Sequence, residues 1–123
     1  MHEASLCDAL FDQVDAAIAR HPQAASLTAR EIHVAIGELA GVDPELFQIA
    51  FDTLRLDRHP RATLTLTHVP ARWRCPSCET PHLPNTPLTC PVCDAPLTLE
   101  SGGELTLQRI ELTLSPDPEV PHV

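Results

Sequence analysis

Residues 75–93 read CPSCETPHLPNTPLTCPVC and contain two Cys-x-x-Cys pairs separated by eleven residues. The pairs are Cys75 with Cys78 and Cys90 with Cys93. Two such pairs brought together place four thiolates at the corners of a tetrahedron, which is the geometry that Zn²⁺ takes in structural sites. A site of four thiolates has no open coordination position, so it usually stabilises a fold and performs no chemistry. We therefore predict a zinc-ribbon-like module held by these four cysteines.

Two other assignments of the four cysteines stay open from the residues alone. A rubredoxin-like iron site uses four thiolates, and a redox dithiol pair has the spacing of a single Cys-x-x-Cys. Aromatic residues make up only 3% of the chain, so the sequence offers little material to shield a redox centre. Structural zinc is the prediction, and iron or dithiol chemistry is the alternative.

The segment around the cysteines differs from the rest of the chain because it is rich in proline and has no apolar periodicity. Proline cannot donate a hydrogen bond to a sheet ladder, so the segment predicts neither a helix nor a central strand. Its order should depend on the bound metal. The prolines between residues 70 and 103 are Pro70, Pro76, Pro81, Pro84, Pro87, Pro91 and Pro96.

Outside this segment, the spacing of apolar residues predicts two helices. The first is expected from Ser5 to about Arg20. Asp43 and Pro44 have the residue types of an N-cap and a first helical position, and the second helix is expected to run from there to about Leu56. Both helices are amphipathic, so each should cover an apolar surface.

Alternation of apolar and polar residues predicts three strands, over residues 31–36, 62–69 and 104–114. The apolar phase of the last strand shifts near residues 108–109, which indicates a β-bulge there. The order helix, strand, helix, strand, metal module, strand indicates an α+β fold. We expect a three-stranded sheet packed against two helices, with the four-cysteine zinc-ribbon-like module inserted before the last strand.

These elements predict three parts of the chain. Residues 1–69 and 103–114 form an α/β domain, and residues 70–102 form the zinc-binding module. Residues 115–123 have no core-forming pattern and are expected to be a disordered tail.

Composition limits the possible partners. The chain has 123 residues and a formal net charge of −9, and a zinc ion on four thiolates would bring the charge to about −11. Only eight residues are Lys or Arg. Nucleic acid is therefore a poor partner, because phosphate binding depends on clustered basic residues. A metal ion or a protein with a basic surface fits the charge better.

The expected compartment is the cytoplasm. Cysteines in metal-ligand spacing favour a reducing environment over a disulfide framework. Asp8, Asp12 and Asp15 interrupt the apolar residues near the N-terminus, so we expect neither a signal peptide nor a membrane span.

The N-terminus, Met1-His2-Glu3, is a second candidate metal site. A histidine beside the α-amino group can place an amine, an imidazole nitrogen and backbone amide nitrogens around one ion, a square-planar set that suits Ni²⁺ or Cu²⁺. The bulky His2 should prevent removal of Met1, which would then supply the amine. An exposed histidine near a start codon also occurs by chance, so the residues alone do not decide between a metal site and a histidine without a role.

Other candidate groups have simpler explanations. Cys7 is expected to be a small core residue on the first helix, and His33 and His68 to be surface or partly buried strand residues. The sequence has no glycine-rich phosphate loop, nucleophile elbow or Ser/His/Asp set placed by a motif. We therefore predict that the protein is not an enzyme.

Several segments in a specific order resemble one protein family. They are residues 1–6 (MHEASL), 36–38 (IGE), 42–47 (VDPELF), 50–51 (AF), the two cysteine pairs, 102–105 (GGEL) and 110–111 (IE). The chain resembles the HypA/HybF family of hydrogenase nickel-incorporation proteins over almost its whole length. It departs from the family pattern at Ala4, where a larger apolar residue is common, and at Asp94, where zinc knuckles often have glycine.

The resemblance implies a nickel metallochaperone with structural Zn²⁺ and transferable Ni²⁺. It implies delivery of Ni(II) to the large subunit of [NiFe]-hydrogenase, with a HypB-type GTPase as partner. His2 would be the essential nickel ligand, with nearby backbone nitrogens, including that of Met1, and Glu3 contributing. The alternative from another class is a structural zinc-ribbon interaction adaptor that carries no transferable metal.

Overall fold

The structure, a computed structural model, describes residues 2–78, 81–82 and 89–114. Met1 and the predicted tail, residues 115–123, lie outside the described residues. The elements in chain order are helix α1 (His2–Ala19), a 3-10 helical turn (Ala24–Ser26), β1 (Leu27–Gly37), α2 (Pro44–Arg58), β2 (Thr63–Val69), β3 (Arg72–Arg74), β4 (Pro81–His82), β5 (Thr98–Ser101) and β6 (Leu105–Leu114).

The main sheet has three strands in the order β2-β1-β6, and β1 is its central strand. β2 runs parallel to β1, and β6 runs antiparallel to it. Parallel neighbours need a crossover connection, which α2 supplies between β1 and β2. This sheet and the two helices confirm the predicted α+β fold.

The core lies between the helices and one face of the sheet. Phe11 of α1 packs against Phe51 of α2, with ring centroids 5.2 Å apart. Ile32 and Val34 of β1 point into the same cluster, and all four side chains are fully buried. Because burial of one such side chain contributes about 1.5–3 kcal/mol, this apolar cluster holds the helices on the sheet.

α2 begins at the predicted residue but ends at Arg58, two residues beyond the predicted Leu56, and α1 differs from the prediction at both ends. Asp43 caps α2 as expected, because its carboxylate accepts hydrogen bonds from the backbone N–H groups of Glu45 at 2.9 Å and Leu46 at 3.3 Å. α1, however, begins at His2, so the predicted start at Ser5 is wrong. An acidic residue in the first turn, here Glu3, favours an earlier start by offsetting the positive end of the helix dipole.

β1 is longer than the predicted 31–36 and spans Leu27–Gly37. Its pairing with β6 shifts register between Ala29 and Glu31, so Arg30 is an extra residue there. An extra residue reverses which face the following side chains occupy, and this interrupts the alternation on which the prediction depended. The predicted strand was therefore too short, because the extra residue interrupts the alternation and the pairing with β6 extends β1 back to Leu27.

The predicted bulge in β6 is confirmed. His33 pairs with Arg109, but the next residue of β1, Val34, pairs with Leu107. Gln108 is therefore the extra residue, at the point where the apolar phase of the sequence shifts. The bulge lets the apolar residues on both sides of it face the same core.

The cysteine-containing segment has a second small sheet, in the order β4-β3-β5. The prediction that residues 70–103 hold no central strand is wrong, because β3 (Arg72–Arg74) is the middle strand. The prolines of this segment lie before and after β3, so its backbone N–H groups remain available to the ladder.

The chain connections to this small sheet pass close to the end of β1. The Leu39 N–H donates to the Gly102 carbonyl at 2.7 Å, and the Glu38 carboxylate accepts from the Ala71 N–H at 2.8 Å. Gly102 has φ +91°, and a side chain there would bring its Cβ within 2.6 Å of the Ala71 Cα. We call residues 37–39, 70–71 and 102 the joint.

Replacing Gly102 with alanine is expected to destabilise the protein by at least about 3 kcal/mol, since it adds a steric clash with backbone to an unfavourable positive φ. Gly41→Ala is the matched control: Gly41 also has positive φ, +74°, but an added Cβ meets nothing within 4 Å. The control should lose about 1–2 kcal/mol, the conformational cost alone. Urea denaturation of the zinc-loaded proteins measures both values. Equal losses would mean that the joint is not tightly packed.

Neither helix in the part of the chain that the structure describes is long and apolar enough to cross a membrane.

Candidate metal centres

The four cysteines that the sequence singled out come together at one end of the small sheet. Their sulfur atoms all lie within 4.8 Å of one another. Cys75 Sγ is 3.2 Å from Cys93 Sγ, and Cys78 Sγ is 3.8 Å from Cys90 Sγ. Zn–S bonds of about 2.3 Å at tetrahedral angles place sulfurs about 3.8 Å apart, and a disulfide would need about 2.05 Å. The donor set and its spacing fit a four-thiolate zinc site.

The turn of the second cysteine pair shows how the chain holds its sulfurs. The Asp94 N–H donates to the Cys90 carbonyl at 2.8 Å, and the Cys90 N–H donates to the Ala95 carbonyl at 2.8 Å. The Val92 N–H also points at Cys90 Sγ, at 3.4 Å. Asp94 has φ +64°, the left-handed conformation that glycine serves in many knuckles and that aspartate tolerates. The departure from glycine at Asp94 therefore leaves the turn intact.

Two of the four cysteines are buried and two are exposed. Cys75 and Cys90 are buried, whereas Cys78 and Cys93 are exposed. Leu97 and Trp73 pack against the buried pair and form a small apolar cluster with it. A cluster of this size cannot stabilise a fold alone, and a metal bound by the four sulfurs would supply the local stability that it lacks.

The N-terminal candidate lies at the start of α1. His2 is its first residue, and 59% of the His2 side chain is exposed. Its Nδ1 is 3.8 Å from the Glu3 carboxylate, which is only 12% exposed. The Asp43 N–H donates to the same carboxylate at 3.1 Å and, with the N–H of Glu3 itself, lowers the pKa of Glu3. The structure thus places His2 and an ionised Glu3 side by side.

A cavity of about 270 Å³ opens beside His2, between α1, the loop before α2 and β6. Its walls are mostly apolar, so His2 is a polar group at the edge of an apolar space. The lining residues are His2, Leu6, Ala9, Leu10, Gln13, Ala40, Val42, Leu105 and Leu107.

The acidic face of α1 contacts α2. Arg58 lies 3.6 Å from Asp8, 2.9 Å from Asp12 and 2.8 Å from Asp15. His59 Nε2 lies 2.6 Å from Asp15. Burial opposes the charged form of Asp15, but hydrogen bonds from Arg58 and His59 outweigh burial and lower its pKa. The lowered pKa means that this link stabilises the fold at neutral pH and is lost as the pH falls through the acidic range.

Cys7 is fully buried in the main core, as predicted. Burial, with the nearby charges of Asp8 and Glu3, raises the pKa of its thiol to about 12. A thiol in that state is a poor metal ligand, because metals bind the thiolate. Cys7 is therefore a packing residue.

Two contacts in this region join residues far apart in the sequence. The Asp43 backbone reaches Glu3 across 40 positions, and His59 reaches Asp15 across 44. The helix-cap signal was sufficient to explain Asp43 in the sequence, so a role near the N-terminus was not predicted for it. Only the packing of α1 on α2 brings these residues together.

Known proteins are similar to this chain over nearly its whole length. A family profile described as hydrogenase/urease nickel incorporation, metallochaperone, HypA matches residues 1–112. The hydrogenase maturation factor HypA of Wolinella succinogenes is 34% identical over 116 residues, which cover 91% of this chain and 95% of that protein. The hydrogenase maturation factor HypA of Shewanella oneidensis is 32% identical over 120 residues, covering 95% and 99%.

Solved structures agree with this similarity. A solution structure of a HypA protein matches with a TM-score of 0.70 and 26% identity, covering 92% of this chain and 97% of that one. The solution structure of the Ni metallochaperone HypA from Helicobacter pylori matches with a TM-score of 0.65 and 24% identity, covering 93% and 98%. The second likeness shows the shared fold.

Proposed function

Because the chain belongs to the HypA family of nickel metallochaperones of hydrogenase maturation, we propose that it binds Ni(II) at its N-terminus and delivers it to the large subunit of a [NiFe]-hydrogenase. The proposed nickel ligands are His2, with Glu3 and backbone nitrogens including that of Met1. The resident Zn²⁺ is held separately, and its proposed ligands are Cys75, Cys78, Cys90 and Cys93.

The observation that supports this proposal best is the position of His2 in the first turn of α1. The first four backbone N–H groups of a helix have no acceptor within the helix. Backbone nitrogens near His2 can therefore bind a metal at little cost to the helix. The exposed imidazole is accessible to an incoming ion, and the Glu3 carboxylate beside it adds negative charge.

The two metal sites differ in how their metals can leave. Nickel at the start of α1 is released when the first helical turn moves away, which breaks the Asp43–Glu3 hydrogen bond but leaves the rest of the fold in place. Zinc on four thiolates from two separate turns leaves only when the fold around it opens. The N-terminal site is thus suited to transfer of its metal, and the four-cysteine site is suited to permanent binding.

The same proposal assigns the parts of the chain and the partners. Residues 1–69 and 103–114 form the nickel-binding domain, and residues 70–102 form the zinc module. A HypB-type GTPase and the hydrogenase large subunit are the proposed partners, and the cytoplasm is the proposed compartment. The formal charge of −9 supports protein partners with basic surfaces.

Metal counting on untagged protein tests the proposal against the adaptor alternative. The chaperone should hold one zinc that resists a mild chelator and one tightly bound nickel that the chelator removes. Adding a few residues before Met1 should abolish tight nickel binding, because the extension moves the α-amino group away from His2. Zinc content should not change, which serves as the internal control. Tight nickel binding by the extended chain would contradict a nickel site at the N-terminus. Absence of tight nickel binding in both the untagged and the extended chain would favour the zinc-ribbon adaptor without transferable metal.

A further inference from the structure

The face of the main sheet that points away from the helices carries another group of metal-binding side chains. Ile32 and Val34 are buried in the core, so the alternating residues Glu31 and His33 lie on the opposite face of β1. Glu111 of β6 is the register partner of Glu31. One donor atom from each of these three side chains lies within 4.8 Å of the other two.

The distances suit coordination of one ion. His33 Nε2 is 3.0 Å from Glu111 Oε2 and 4.0 Å from Glu31 Oε2. Ligand bonds of about 2.0–2.2 Å at octahedral or tetrahedral angles place donor atoms about 2.8–3.6 Å apart. The His33 and Glu111 atoms already have that separation, and Glu31 needs only a small side-chain movement.

The three donors are held by the sheet. All are partly enclosed, with 28%, 20% and 26% of the side chains of Glu31, His33 and Glu111 exposed. Thr65 of β2, the register partner of His33, donates its hydroxyl to Glu31. Such outer hydrogen bonds orient metal ligands and add to affinity. Two of the donors, Glu31 and His33, lie on the central strand, and the third, Glu111, lies on the neighbouring strand β6.

A cation already contacts two of the donors. Arg109 Nη2 lies 2.5 Å from Glu111 Oε2 and 3.5 Å from His33 Nε2. Arg30 Nη2 binds the other oxygen of Glu111 at 2.7 Å. The Arg109 side chain is 65% exposed, so it can swing into solvent and free Oε2, while Arg30 keeps the carboxylate oriented.

We propose that Glu31, His33 and Glu111 form a further divalent-metal site, separate from the cysteine cluster and the N-terminus, in which Arg109 competes with the metal. One imidazole and two carboxylates suit borderline ions such as Zn²⁺. Three protein ligands leave coordination positions open to water. Binding there should be weaker and faster to exchange than at the cysteines.

Zinc alone is the probe for this site. The protein used is the full zinc-loaded chain carrying His2→Ala, which removes the N-terminal imidazole. Equilibrium dialysis against Zn²⁺ should show a second zinc per chain. Adding His33→Ala or Glu31→Gln should remove it, whereas His68→Ala, which removes an exposed histidine on neighbouring β2, should leave it. Arg109→Gln should tighten binding about tenfold, since it removes a competing positive charge.

Several results would overturn the proposal. Only one zinc per chain in the His2→Ala protein would show that the proposed sheet site does not bind zinc. A second zinc that survives both His33→Ala and Glu31→Gln would be an adventitious ion only. Unchanged affinity in Arg109→Gln would refute the competition. Circular dichroism checks folding, and if His33→Ala does not fold, the exposed-face variants Glu31→Gln and Arg109→Gln decide the matter.

Discussion

Replacing His2 with alanine is expected to lower the affinity of the untagged, zinc-loaded chain for Ni²⁺ by at least about 100-fold, because loss of a direct ligand costs more than the roughly 10–100-fold typical of outer hydrogen bonds. His2 supplies the imidazole nitrogen of the proposed ligand set at the start of α1. Isothermal titration near neutral pH measures the change. Weak binding that remains would belong to oxygen-rich sites elsewhere on the chain.

His68→Ala is the matched control for this substitution. His68 is also exposed, but it lies near the end of β2 and belongs to none of the three proposed metal sites. The His68→Ala protein should bind nickel with the same affinity as the wild type. If both variants bind nickel equally well, nickel does not depend on His2 and the terminal site is wrong.

The nickel affinity of the wild type should fall as the pH drops below neutrality. Amine and imidazole nitrogens bind metal only when they are deprotonated, so protons compete with nickel. The His2→Ala protein, having lost one of these groups, should show a shallower dependence. Titrations at several pH values compare the two slopes.

Replacing Cys90 with serine is expected to weaken zinc binding by at least a factor of about 1,000, since a structural zinc contributes about 10–16 kcal/mol and a neutral hydroxyl is a poor substitute for a thiolate. Cys90 is 1% exposed, and its sulfur sits 3.8 Å from that of Cys78. A chromogenic chelator should withdraw zinc from the variant under conditions in which the wild type keeps it.

Loss of zinc should disorder the small sheet and leave the main core folded. Trp73 is the single tryptophan of the chain and packs against the cysteine cluster, so its fluorescence reports on that region alone. Far-UV circular dichroism should change little, because α1 and α2 pack on the main sheet. Loss of the helical signal together with the zinc would show that the main core depends on the metal.

Cys7→Ala is the control for the cysteine substitution. Cys7 is fully buried in the main core and is not part of the sulfur cluster. Its replacement should cost some packing energy but leave zinc content and Trp73 fluorescence unchanged. Equal zinc loss in Cys7→Ala and Cys90→Ser would mean that zinc binding depends on overall stability and not on a specific ligand.

Features that depend on neighbouring residues were predictable from the sequence. Asp43 as a helix cap and the bulge at Gln108 were confirmed, because a cap depends on residues two and three positions away and a bulge appears as a shift in local alternation. Each Cys-x-x-Cys turn was also recognisable as a metal-ligand pair, although the sulfur contacts that join the two pairs span 18 and 12 positions.

Errors arose where long-range pairing overrides local pattern. β1 continues back to Leu27 because β6 pairs with it there. The bulge at Arg30 breaks the alternation of apolar and polar residues, so the sequence pattern does not indicate this part of the strand. β3 is a central strand because β4 and β5 pair with it on either side, although prolines surround it. Strand neighbours far along the chain leave no periodic trace in a single sequence.

The sequence by itself determined the order of the helices and strands of the main sheet, the family and the two places where metal donors accumulate. The tertiary structure alone decided that Glu3 meets the backbone of Asp43 and that Glu31 and His33 meet Glu111. The physical reason is the range of the forces involved. Helix periods, caps and ligand spacing act within a few residues, whereas contacts between side chains roughly 40 to 80 positions apart exist only after the helices and strands have packed.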